Sequence, residues 1–249
     1  MRALATLALI GALALSQATP SFAQTAPLPA PAPAPARPPV GQGDNGDWAN
    51  IARYRDADQP LLATADPRRV VFMGDSITQG WAPQPFIKDN ASYVGRGISG
   101  QTTPQMLVRF RSDVIALKPA VVHIMGGTND VAQNTGPETA EEIEGYVASM
   151  VEIAQANHIK VIIASIPPAA DFPWRPGLAP GPKIQALNVW LKGYAARKHL
   201  VYADYWPAIA TPEGAMKPEY SKDGVHPNAE GYAAMAPIAQ AAIAEAMRH

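Results

Sequence analysis

Val70-Val71-Phe72-Met73-Gly74-Asp75-Ser76 runs straight from four apolar residues into a glycine, a carboxylate and a hydroxyl. A short apolar run bounded by turn residues reads as a strand buried on both faces. Four further runs follow, at Ser92–Val94, Ala120–Met125, Lys160–Ser165 and Leu200–Tyr202. Helical patterns fill the gaps. The clearest begins after Gly136-Pro137, with Ile143, Tyr146, Val147, Met150, Val151 and Ala154 on one face. Pro137 is expected in its first turn, and Glu138, Glu141, Glu142 and Glu144 complement the positive end of its dipole. A last helix is expected after Pro227-Asn228, with Asn228 as N-cap and a kink at Pro237. Strand and helix alternating five times predicts an α/β fold, a three-layer α/β/α sandwich around a five-stranded parallel sheet. Ligands of such sheets sit beyond the carboxyl ends of the strands. Functional residues should therefore follow strands directly.

Three motifs do. Gly74-Asp75-Ser76-Ile77-Thr78 follows the first run and Gly126-Gly127-Thr128-Asn129-Asp130 the third, while Asp223-Gly224-Val225-His226-Pro227-Asn228 precedes the last helix. Each is weak alone; the ordered set is strong. A serine hydroxyl attacks an acyl carbon only if a base takes its proton. Histidine is the side chain whose ordinary pKa lies near neutrality, and a carboxylate must hold its ring in one tautomer. Asp223, three residues before His226, can do so, which makes Ser76, His226 and Asp223 the candidate catalytic triad. The oxyanion of a tetrahedral intermediate needs donors aimed at it. The Asn129 amide and the backbone N–H groups of Ser76 and Gly100 are the candidates, Gly100 lying in Gly97-Ile98-Ser99-Gly100-Gln101-Thr102 after the second run.

Ser in GDS, Gly in GISGQTT, Asn in GGTND and Asp/His in DGVHPN together resemble the GDSL/SGNH hydrolases over Val70–Tyr232. GISGQTT and NTGP look most like bacterial exported members and the platelet-activating-factor acetylhydrolase-like branch. The resemblance implies a flavodoxin-like three-layer fold, the triad above and the same three oxyanion donors. It also implies hydrolysis of esters, some thioesters, and often of acetyl groups on sugars. The expected substrate is thus a small ester or an acylated carbohydrate carrying a short, acetyl-like group. A lipase would want a broad apolar groove, and no apolar insertion is large enough to shape one. A catalytically dead polysaccharide-binding fold would have no need of the full set.

Other patterns carry less. Gly95-Arg96-Gly97-Ile98-Ser99-Gly100 matches the dinucleotide fingerprint, but the acidic residue it needs, Asp113, falls in a helical stretch, so no cofactor is expected. Neither GxSxG nor HExxH occurs, and His123, His158 and His199 are isolated, so no metal is expected either. Asp75 and Asp130 read as loop-fixing groups. Trp81, five residues after the nucleophile, either walls the pocket or packs.

The 249 residues carry a net charge of −1 and are 47% hydrophobic, with no cysteine. That balance gives no basic stripe for nucleic acid, and the composition excludes disulfides, thiolate sites and a lipid-modified cysteine. It says nothing of oligomeric state. Arg2, the 12-residue apolar run Leu4–Leu15 and Ser21-Phe22-Ala23 read as a signal peptide over residues 1–23, too short to span a bilayer. Export to periplasm or medium, without a stable membrane anchor, is expected. Residues 24–46, with the alternating Pro/Ala run Ala26–Val40, read as an extended linker, and 47–249 as one hydrolase domain.

One loop stands out. Pro167–Pro182, PPAADFPWRPGLAPGP, holds six prolines and two glycines in 16 residues, too long for an ordinary connection. Leaving the carboxyl end of the fourth strand, it should border the site. Trp174 either offers a flat wall to the substrate or plugs the core.

Overall fold

The computed structural model describes residues 41–43 and 46–248. The expected signal peptide and most of the linker lie outside the described residues. Five strands, β1 (Val70–Gly74), β2 (Tyr93–Gly97), β3 (Val121–Met125), β4 (Lys160–Ala164) and β5 (Val201–Ala203), form one sheet in the order β2-β1-β3-β4-β5. Every pairing is parallel, with Val70 level with Tyr93 on one side and Val121 on the other. The expected five-stranded parallel sheet is present, its strands within a few residues of the predicted runs.

Side chains alternate across the strands, and each set meets its own helix layer. Val71, Met73, Val122, Ile124, Val161 and Ile163 pack with side chains of α4 (Thr103–Asp113), α6 (Ala140–Ala156) and α7 (Gly181–Arg197). Val70, Phe72, Val121, Ile162 and Ala164 pack with α2 (Ser76–Trp81), α3 (Pro85–Lys88), α8 (Trp206–Ile209) and α9 (Ala229–Arg248). Covering both faces is why the strands read as unbroken apolar runs. Strand order reverses between β1 and β3, so a crevice opens at their carboxyl ends. The remaining α-helices among the described residues are α1 (Arg55–Leu62) and α5 (Thr128–Val131).

Local chemistry sets the helix ends, once against expectation. Pro137 does not open α6. Thr139 is the N-cap: its hydroxyl accepts from the Glu142 N–H at 3.2 Å while the Glu142 carboxylate accepts from the Thr139 N–H at 2.8 Å. This reciprocal box satisfies two otherwise orphan donors, and it starts the helix at Ala140, with Pro137 two residues outside the cap. Ile143, Val147, Met150, Val151 and Ala154 are buried as expected, Tyr146 only half so. Asn228 does cap α9, its Oδ1 accepting from the Gly231 N–H at 2.9 Å.

The β2 edge is closed from the N-terminal side. The Tyr54 hydroxyl donates to the Gly97 carbonyl, and the Arg96 guanidinium pairs with buried Asp58 of α1 while lying 4.6 Å from the Tyr54 ring. The ordered contacts begin before Asp47, because Gln101 Nε2 donates to the carbonyls of Gly41 (2.8 Å) and Ala49 (2.7 Å).

Candidate active site

Asp75 follows β1 and turns the chain into α2. Its Oδ1 accepts from the Ile77 N–H at 2.9 Å, an N-cap that presents Ser76 as the first helical residue at the carboxyl edge of the sheet. The close approach of α2 requires glycine at position 74, where a Cβ would stand 2.0 Å from the Thr78 hydroxyl. Ser76 Oγ lies 2.9 Å from His226 Nε2. His226 Nδ1 lies 2.6 Å from Asp223 Oδ2. The other oxygen of Asp223 accepts from the backbone N–H groups of His226 (2.8 Å) and Val225 (3.0 Å) and from the Ser221 hydroxyl (3.1 Å). Burial alone would raise the Asp223 pKa; the hydrogen bonds from the His226 ring and from these N–H groups outweigh it and hold the carboxyl down at about 2. Asp223 is therefore an anion at every ordinary pH.

The sequence did not point to Ser221. Its hydroxyl serves Asp223, the His226 carbonyl (2.8 Å) and the Gly224 N–H (3.0 Å), so one side chain closes the loop around the Asp–His pair.

Gly100 takes φ 78°, a left-handed conformation that favours glycine. Asn129, in α5 just after β3, is buried; its Nδ2 donates to the Gln101 carbonyl at 3.0 Å and to Asp75 Oδ2 at 3.3 Å. Among the described residues, the backbone N–H groups of Ser76 and Gly100 have no internal acceptor. Asp75, fully buried, has its pKa raised to about 6 by that burial, against the opposing Ile77 N–H. Asp75 and Asp130 act as loop fasteners, as expected, Asp130 accepting from both the N–H and the hydroxyl of Thr103.

The two tryptophans separate. Trp81 is fully buried, ring-stacked on Phe86 and Tyr232 at 5.5 and 5.8 Å. It does not wall the site, because it lies one helical turn after Ile77 and both side chains turn toward the sheet. Trp174 is half-buried, stacks on Phe172 at 5.0 Å and lies 5.9 Å from the His226 ring. Phe172 is the fully buried plug. The proline-rich loop therefore borders the Ser–His pair, and Arg175 reaches back to Gln133 at 3.2 Å.

Arg109 was also missed. This buried guanidinium donates to the carbonyls of Gly74 (2.8 Å) and Arg96 (2.9 Å), to Gln101 and to Asp113 (2.7 Å), tying together the ends of β1 and β2. The available signal was its i,i+4 spacing to Asp113 on a helix. The same pair shows why Asp113 is no ribose ligand, and Gly95 and Gly97 lie within β2. His123 is a core residue, 2.7 Å from the Tyr205 hydroxyl, its pKa lowered to about 4 by burial. His158 and His199 take left-handed φ just beyond α6 and α7. Among the described residues no three His, Cys, Asp or Glu side chains are grouped to hold a metal ion.

The sheet order and the position of the crevice define the three-layer α/β/α fold of the SGNH hydrolases. Residues 72–234 match the model of the GDSL-like lipase/acylhydrolase family, and the chain belongs to that family of ester-directed hydrolases. It is 47% identical to a GDSL-like lipase from Bacteroides thetaiotaomicron over 80% of this chain and 98% of that one, with a TM-score of 0.74. A Bacteroides fragilis protein, provisionally assigned as an acylhydrolase, is 46% identical over 81% of this chain and 99% of that one, TM-score 0.76. The chain is also 29% identical over 153 residues to YqeF, an uncharacterized lipoprotein of Bacillus subtilis. That match covers 54% of this chain and 63% of the relative, so the chain spans under two thirds of that protein's length. No helix among the described residues is long and apolar enough to cross a membrane.

Proposed function

We propose that this protein is an exported serine esterase that removes short acyl groups, acetyl first, from carbohydrate or small esters. The observation that carries the reading is the unbroken hydrogen-bond chain Ser76–His226–Asp223 at the carboxyl edge of the sheet. Ser76 Oγ attacks the acyl carbon as its proton passes to His226 Nε2, and Asp223, already an anion, steadies the imidazolium. The carbonyl oxygen becomes an oxyanion received by the N–H groups of Ser76 and Gly100 and by Asn129 Nδ2. The longer contact of that amide, 3.3 Å to Asp75, is the one the oxyanion would compete with. Collapse breaks the ester C–O bond, and His226 hands its proton to the departing alcohol. Water, deprotonated by His226, then attacks the acyl-Ser76 ester; carboxylic acid leaves and the hydroxyl is restored.

Trp174 beside His226 is the wall an acyl group or sugar ring would meet. The expected leader and the lipoprotein nature of YqeF support export. The lipase name of the Bacteroides thetaiotaomicron relative favours longer chains as the second reading. One experiment decides: kcat/KM on p-nitrophenyl esters from acetyl to octanoyl, with acetate release from acetylated xylan, for wild type and Ser76→Ala. Turnover falling with chain length and lost in the variant supports the proposal. Faster octanoyl turnover establishes the lipase reading, and no Ser76-dependent turnover leaves a binding protein.

A further inference from the structure

Asn134 opens the NTGP stretch in the loop after α5, and three of the four in-plane hydrogen-bonding positions of its amide are used. Nδ2 donates to the Gly100 carbonyl at 3.1 Å and to Asn129 Oδ1 at 2.9 Å, and Oδ1 accepts the indole N–H of Trp174 at 3.2 Å. Its backbone N–H also donates to the Asn129 carbonyl at 3.0 Å.

The orientation follows from chemistry alone. An indole N–H only donates and a carbonyl only accepts. Trp174 therefore fixes which end of the Asn134 amide carries oxygen, and the Gly100 carbonyl fixes which carries nitrogen. Asn134 Nδ2 then demands an oxygen from Asn129, so the Asn129 nitrogen must face the other way, toward Gln101, Asp75 and the site. The Gln101 carbonyl and the Asp75 carboxylate ask for the same orientation from the other side, so Asn134 supplies the restraint on the Asn129 oxygen and holds the amide plane from its far end.

We infer that Asn134 is a positioning residue: it sets the amide of Asn129 and the peptide after Gly100, and couples both to the Trp174 wall. The role rests on the esterase reading above. It acts through the oxyanion donors, so its loss should appear in kcat and leave KM nearly unchanged.

The test is a kinetic cycle of wild type, Asn134→Ala, Asn129→Ala and the double variant on p-nitrophenyl acetate, with Tm measured for each. Asn134→Ala is expected to lower kcat at least about tenfold, approaching the 10²–10³ cost of a lost oxyanion donor. The double variant should fall well short of the product of the two single losses, because both act through one amide. Trp174→Phe removes the indole donor together with one ring of the wall and should lower kcat on p-nitrophenyl acetate; it also serves if Asn134→Ala does not fold. Wild-type turnover with Asn134→Ala within twofold in kcat, or losses that multiply fully, overturns the positioning role alone. Absence of Ser76-dependent turnover in the wild type overturns the esterase reading and this role with it.

Discussion

Ser76 Oγ and His226 Nε2 lie 2.9 Å apart although 150 residues of chain separate them. The packing of α9 against the sheet, with the Tyr232 hydroxyl donating to the Ile77 carbonyl at 2.8 Å, holds the two segments together. Ser76→Ala removes a half-buried hydroxyl and no core contact, so Tm should stay near wild type while kcat drops to near background. Residual acceleration of about 10³–10⁴ over water is expected from the remaining donors. A variant keeping more than a tenth of wild-type kcat would mean that another group is the nucleophile.

Asn129→Ala removes one oxyanion donor and should lower kcat by about 10²–10³ with a much smaller change in KM. Steady-state kinetics on p-nitrophenyl acetate gives both constants. A change confined to KM places Asn129 in ground-state binding.

Trp174 and Phe172 divide the work of one loop. Phe172→Ala should cost about 3–5 kcal/mol of stability by urea unfolding, as it empties a fully buried aromatic site. Trp174→Ala should leave Tm close to wild type, lower kcat/KM for acetyl esters and flatten the acyl-length profile. The opposite pattern, with Trp174 as the stability residue, refutes this division.

Arg109→Met leaves Asp113 as an unpaired buried charge and strips donors from the Gly74 and Arg96 carbonyls. Breaking one side of a buried pair costs about 3–5 kcal/mol, whereas replacing both partners by apolar residues is much milder. Denaturant unfolding of Arg109→Met and of Arg109→Met/Asp113→Leu should therefore rank the double variant as the more stable. The reverse order would make the backbone contacts, not the charge, the dominant loss.

Asp130 Oδ2 and Glu138 Oε2 are buried without a donor among the described residues, and the two carboxyls line one cavity. Burial raises the Asp130 pKa; the Thr103 hydrogen bonds oppose this and the Glu138 charge adds to it. Lys183 and Glu144 line the same cavity of about 340 Å³. A carboxyl whose pKa is higher folded than unfolded holds more proton in the native state, so its contribution is largest in acid and is lost as pH rises toward the raised value. Asp130→Asn is neutral throughout, and its amide could donate to Glu138. Relative to wild type its Tm should gain as pH rises from 5 to 9. Parallel Tm–pH curves would show that Asp130 titrates normally.

Much of this was legible before any coordinates. The strands could be found because helices cover both faces of the sheet, which forces unbroken apolar runs, and the candidate triad could be proposed because Ser76 follows a strand end and Asp223 and His226 precede the last helix. What stayed hidden depends on partners distant in sequence. Arg109 and Ser221 look like ordinary polar residues until the carbonyls they bind are in place, and Asn134, although it opens NTGP, shows no role until Gly100, Asn129 and Trp174 surround it. Trp81 could not be assigned because its face is set by how α2 lies on the sheet. Helix α1 buries only Asp58 and contains Pro60, so no apolar period marks it. The start of α6 was readable, in Thr139-x-x-Glu142, but Pro137 drew the boundary too early.

The long separation between Ser76 and His226 also fixes when the molecule becomes competent. Any nascent chain shorter than 226 residues carries a serine with no proton acceptor, and Asp223, Ser221 and Asn228, which shape the base, arrive with it in the same last stretch. On the proposed mechanism, turnover in refolding should return no sooner than the docking of α9, whatever signal of secondary structure comes first.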